Sequence, residues 1–201
     1  MNVLLEKFPR YAKINGKKYE ICTDFRNCLK IILACQDDEL TDEEKLWVIL
    51  KRLYQKEMPN DIEKAFNLGI QFLDGGKEQR NDSKSTAAVS SSSFSFSQDA
   101  AFIYSAVLQT HGVDLESCGN LHWWKFLMML QELDKDCAFY HIIGIRERKK
   151  QGKMTKEDKA WYAKNKELVD IKKPLTSLEE MKRKEFLERI KQGGGGENAG
   201  L

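Results

Sequence analysis

The chain has 201 residues, 33 of them basic and 31 acidic, for a formal net charge of +2. That length allows one domain with a proper core, or two small helical subdomains, without disulfide staples, and the near-balance of charge removes the electrostatic footprint expected of a dedicated nucleic-acid binder. The five cysteines lie in apolar periodic segments and read as free thiols of a reducing cytoplasm, the N-terminus lacks the charge order of a signal peptide, and no apolar run approaches the roughly 20 residues of a membrane span, so a soluble protein with no membrane partner is expected.

Tyr11 to Ile21 holds two short alternating runs around Asn15-Gly16, whose tolerance of positive φ suits a two-residue hairpin turn. Thr23 or Asp24 then caps a helix with Phe25, Cys28, Leu29, Ile32, Leu33 and Cys35 at helical spacing, which stops near Asp37-Asp38. Thr41 and Glu44 form a capping box ahead of Leu46, Trp47, Ile49, Leu50, Leu53 and Tyr54. Pro59 ends that helix, and Asn60 with Glu63 opens another, striped by Ile62, Phe66, Ile70 and Leu73. Hairpin and three helices form one unit over 1–74.

Residues 75–93 have no aromatic side chain and only Val89 among the larger aliphatics, too little apolar area to offset the entropy of ordering, so they read as a flexible linker or loop. Phe94-Ser-Phe96-Ser alternates like a short extended segment. Ser97 or Asp99 caps a helix bearing Ala101, Phe102, Tyr104, Ala106, Val107 and Leu108, and Gly112 ends it. A turn through 114–120 leads to Leu121–Leu130, in which only His122 and Lys125 are polar; a helix apolar around most of its circumference is expected to be buried around most of it. A helix over 136–145, a basic exit segment over 146–153 and a Thr155-capped helix to about Val169 complete a C-terminal helical unit over 94–170. Residues 171–201 hold an amphipathic helix from Ser177 to Lys191 and a disordered Gly-rich tail. The fold class is mainly α: a helical protein with a small N-terminal β-hairpin and a long flexible linker or loop between two helical parts.

Chemistry has little to stand on. Cys118 with His122 and Cys137 with His141 supply zinc-type ligands, but the spacing matches no usual finger, and packed thiols with hydrogen-bonded histidines are favoured over a metal site. No nucleophile elbow or phosphate-binding glycine loop is present, so no catalytic residue, cofactor or metal is assigned. Residues 146–191 carry 16 basic against 9 acidic residues, a pattern that reads as a solvated helical face in preference to a nucleic-acid surface. Trp123 and Trp124 suit a binding hot spot or a core, and the core is favoured.

Several segments share their order and spacing with one family over most of residues 1–170. They are Asn15-Gly16-Lys17 leading to Asp24-Phe25-Arg26, the acidic stretch Asp37–Lys45, Phe96 and Asp99-Ala100 ahead of Ile103-Tyr104, Leu121-His122-Trp123-Trp124-Lys125-Phe126, and Gly144-Ile145-Arg146. Together they resemble the bacteriophage gene-product-fifteen family of siphophage tail assembly chaperones. Cys28, where an aromatic is expected, and Ile145, where a tyrosine is more usual, depart from the pattern in a way that suggests local repacking. The resemblance implies a non-catalytic assembly factor that coats the tape measure protein, with the major tail tube protein as a further partner. It also implies self-association, residence in the cytoplasm of the bacterial host and absence from the mature virion. Asp24, Phe25, Arg26, Trp123, Trp124, Phe126 and Arg146 are the motif residues expected to serve structure or client binding. The alternative is a small phage regulatory or packaging protein that binds nucleic acid through 146–166.

Overall fold

A computed structural model describes residues 2–76 and 93–172. Among them are one two-stranded sheet and eight helices, the mainly helical architecture with a small hairpin that the periodicity implies. Strands β1 (Tyr11–Ile14) and β2 (Lys17–Glu20) pair antiparallel, with Ile14 opposite Lys17. Asn15 and Gly16 turn the chain with φ of 50° and 83°, the two successive left-handed residues that a tight hairpin needs. Ala12, Ile14 and Tyr19 face inward.

Helix α1 (Phe25–Cys35) starts at Asp24, whose carboxylate accepts from the Arg26 and Asn27 amides. Its buried face is Phe25, Cys28, Ile31 and Ile32. Leu33, counted in the expected stripe, is 38% exposed, because it lies about 100° around the helix from Ile32; Ile31 takes its place. Helix α2 (Asp42–Leu53) begins with the full Thr41–Glu44 capping box and buries Ile49, Leu50 and Leu53. Trp47 is a second departure: it is 39% exposed, with the Lys51 ammonium 5.9 Å from its ring centre.

Helix α3 (Ile62–Leu73) is capped by Asp61, not Asn60, its carboxylate accepting from the Lys64 amide at 3.1 Å. Its buried face is Ala65, Gly69, Phe72 and Leu73, while Ile62, Phe66 and Ile70 sit half-buried at its flanks. The small residues are there because α2 crosses closely. A Cβ on Gly69 would lie 3.0 Å from Leu53 Cδ1.

Beyond Ser93 the expected extended segment does not form. The Ser95 amide donates to the Asp99 carboxylate at 2.8 Å and the chain turns into α4 (Ala100–His111), which Gly112 closes at φ 63°. Helix α5 (Trp123–Gln131) follows the turn at 114–117, and α6 (Ala138–Lys150) runs on into the expected exit segment, ending before Gln151. It continues because Arg146, Arg148 and Lys149 all find carboxylates on neighbouring elements. The single helix expected over 155–169 is two, α7 (Lys156–Lys164) and α8 (Lys166–Val169), broken where the Asn165 amide side chain donates to the Trp161 carbonyl. Buried residues from the hairpin and from α1 through α6 form one continuous core that spans both sides of residues 77–92. Most of the linker reading at 75–93, and the helix and tail expected from 173 onward, fall outside the described residues.

Candidate functional site

The motif residues near 24 and near 122 are almost a hundred positions apart in sequence and meet in one clasp. The Phe25 amide donates to the Leu121 carbonyl (2.9 Å) and the Trp123 amide to the Thr23 carbonyl (2.7 Å), so that Asp24 and His122 face each other in a short antiparallel bridge. Each is also a helix cap. Asp24 serves α1, and His122 Nδ1 accepts from the Trp124 amide (3.1 Å) at the start of α5. His122 Nε2 lies 3.0 Å from the Pro9 carbonyl, which can only accept, so the ring is the neutral Nε2–H tautomer. Burial lowers the pKa of this imidazole from 6.5.

The rest of the clasp is aromatic stacking and carbonyl pairing. Phe25 stacks on Phe126 (4.9 Å between ring centres), and Phe126 on Trp123 (5.8 Å). The Arg26 guanidinium lies over the Phe25 ring and donates to the Leu115, Glu116 and Cys118 carbonyls, pinning the turn before α5. Trp123 Nε1 donates to the Leu73 carbonyl (2.8 Å) and Trp124 Nε1 to the Phe72 carbonyl (2.7 Å). Adjacent tryptophans thus donate to two carbonyls in the last turn of α3, of which that of Phe72 also accepts from the Gly75 amide (3.1 Å). Gly76, at φ 78°, packs so tightly on Trp124 that any Cβ there would overlap the indole.

Arg146, the remaining motif residue, stands apart. Its guanidinium binds both oxygens of Asp99 (2.6 and 2.9 Å), and the two side chains are only 6% and 1% exposed. The carbonyls of Val169, Leu168 and Ser93 take its other donors. All five N–H groups are therefore matched. Asp99, expected to cap α4, makes no side-chain cap bond and serves Arg146 instead. Arg148 pairs with Asp158 (2.7 Å) and holds its carboxyl at about 2, and Lys149 binds Asp170 and the Tyr162 hydroxyl. Much of the basic character of 146–149 is thus neutralised within the chain.

Helix α5 has two apolar sides. Trp123, Phe126 and Met129 enter the core, whereas Trp124, Leu127 and Met128 line an open groove of about 520 Å³. The expectation of burial around most of the helix is corrected on this second side. The opposite wall is Phe94, Phe139 and Ile143. Spacing i, i+3, i+4 from Trp124 announces a second stripe, but nothing near it in sequence announces that the facing wall is apolar.

The zinc-type ligands are used separately: the Cys118 thiol is directed at the Leu115 carbonyl, His122 caps α5, Cys137 is buried before α6, and His141 meets Trp161 edge-on. Among the described residues no three His, Cys, Asp or Glu side chains come close enough to hold a metal, and no helix is long and apolar enough to cross a membrane.

Compared with known proteins, residues 4–171 match the family described as Bacteriophage Gp15 protein. No curated protein and no solved structure matches.

Proposed function

Because the chain belongs to the Bacteriophage Gp15 protein family, we propose that it is a non-catalytic tail assembly chaperone that holds the long helical tape measure protein until tail tube subunits surround it. On this reading it works in the cytoplasm of the infected host, in several associated copies, with the tail tube protein as a further partner, and is left out of the finished particle. The observation that supports it most is the groove beside α5. An amphipathic client helix presents apolar side chains at i, i+3, i+4 and i+7, and an open apolar groove is the surface that accepts them. A groove of about 520 Å³ takes only a few such anchors, so each contact is of moderate strength, and several copies along one client supply the avidity. The motif residues support the same reading, since their polar atoms are engaged in holding the fold.

Co-expression with the phage's tape measure protein tests this. Wild-type chain is expected to keep the client soluble and to co-purify with it. Met128→Asp, at a half-exposed groove position, is expected to lose the client while its helicity and melting midpoint stay at wild-type values. Equal client retention by both proteins, or by neither, would refute the assignment. The nucleic-acid alternative has less support, since Arg146, Arg148 and Lys149 already face carboxylates. A gel shift that survives 0.2 M salt, roughly where counterion release has weakened non-specific binding severely, would revive it.

A further inference from the structure

The most exposed large apolar side chains among the described residues lie near the start of the chain: Leu4 is 90% exposed and Leu5 83%. They sit on a turn held by its own hydrogen bonds. The Leu5 and Glu6 amides donate to the Asn2 carbonyl (3.0 and 2.9 Å), the Leu4 amide to Asn2 Oδ1 (3.0 Å), and the Asn2 amide to Glu6 Oε1 (2.9 Å). Leucines already fixed in one geometry cost a partner less entropy to bind. Further along, Phe8 stacks on His122 and meets Trp124 edge-on, with 6.3 Å between the Phe8 and Trp124 ring centres. Trp124 is also a wall of the α5 groove. An apolar knob and an apolar groove thus adjoin one tryptophan, since four residues of chain carry Leu4 no more than about 14 Å from Phe8. Their charges are complementary as well. Asp74 is the one charged residue in the groove lining, whereas residues 2–10 carry Lys7 and Arg10 against Glu6. The knob does not enter the groove of its own chain, as its exposure shows.

We propose that Leu4 and Leu5 of one chain insert into the α5 groove of a second copy, which returns its own pair to the first. Because knob and groove adjoin the same tryptophan, the exchange is reciprocal about a two-fold axis, a closed arrangement that stops at two chains. The knobs are small beside the roughly 800 Å² per partner of a standard interface, so dissociation is expected on the order of tens of micromolar. This goes beyond the client reading, and its one link to it is that a client helix entering the groove displaces the second copy's arm.

Sedimentation equilibrium of the full chain without client, at concentrations on either side of that value, is the test. Wild type is expected to rise from the mass of one chain towards that of two. Leu4→Asp/Leu5→Asp and, separately, Met128→Asp should each stay at one with wild-type helicity; the leucine pair sits in water in the monomer and has no packing to lose. p-Benzoylphenylalanine in place of Met128, irradiated in a mixture of isotope-labelled and unlabelled chains, should give mixed pairs joined at the peptide that holds Leu4 and Leu5. A single-chain mass throughout, a mass that climbs past two, a dimer that survives either variant, or a crosslink that lands elsewhere or within one chain would overturn the proposal. Since no client is present, the dimer can appear even if co-expression fails to show client binding. Client binding can equally hold in a chain that stays monomeric.

Discussion

His122 caps α5 through Nδ1, ties down the N-terminal arm at Pro9 through Nε2, stacks on Phe8 and meets Phe72 edge-on. Protonation would turn the accepting Nδ1 into a donor facing another donor, and would place a positive charge at the positive end of the helix dipole. A folded-state pKa below the ordinary 6.5 means that the folded chain binds fewer protons than the unfolded one. The stabilisation is therefore present above pH 6.5 and is lost as pH falls through the folded value. Urea midpoints at pH 7.5 and pH 5.5 should fall more for wild type than for His122→Asn, which keeps a cap acceptor and does not titrate; equal slopes would remove His122 from the account. The Arg146–Asp99 pair makes a different prediction at the same scale. Arg146→Met strands a buried carboxylate and should cost about 3–5 kcal/mol in urea unfolding, while Arg146→Met with Asp99→Leu should recover part of that loss. The three carbonyls that Arg146 also serves explain why recovery is incomplete.

Between elements, the Trp pair joins α5 to the end of α3 by two indole N–H bonds. Trp123→Phe and Trp124→Phe keep most of the apolar volume and each remove one indole hydrogen bond; Trp123→Phe, at a fully buried site, should lose about 1–3 kcal/mol by denaturation, and Trp124→Phe less, because the Phe72 carbonyl keeps its bond from the Gly75 amide. Gly76→Ala should be destabilising at the same junction, because its backbone is left-handed and its Cβ would meet the Trp124 ring; a thermal midpoint equal to wild type would show that Trp124 swings away freely. Element starts were legible where the signal is local. The Asn15-Gly16 turn, the Asp24 and Thr41 caps and the Gly112 stop all depend on residues within a few positions of one another. The Ala65 and Gly69 face of α3 was not, because small residues look unremarkable until α2 crosses over them. Nor was the length of α6, whose last turn is secured by Asp158 and Asp170 from elements that follow it.

At the scale of the whole molecule, the hairpin and the helices on either side of 77–92 contribute to one core. Tryptophan fluorescence and far-ultraviolet circular dichroism should therefore report a single coincident thermal transition, and two separate transitions would mean that the halves fold independently. The amino-acid sequence by itself determined the helical class, the hairpin, most caps and the family-wide order of motifs, because capping geometry and side-chain periodicity are set by near neighbours along the chain. Only the tertiary structure decided that Asp24–Arg26 and Leu121–Phe126 form one clasp, that Asp99 belongs to Arg146 rather than to its own helix, and that the second apolar side of α5 opens onto a groove. The clasp and the ion pair join residues 47 and more positions apart. Which partners meet is then a property of how the helices pack, and local propensity holds no information about it.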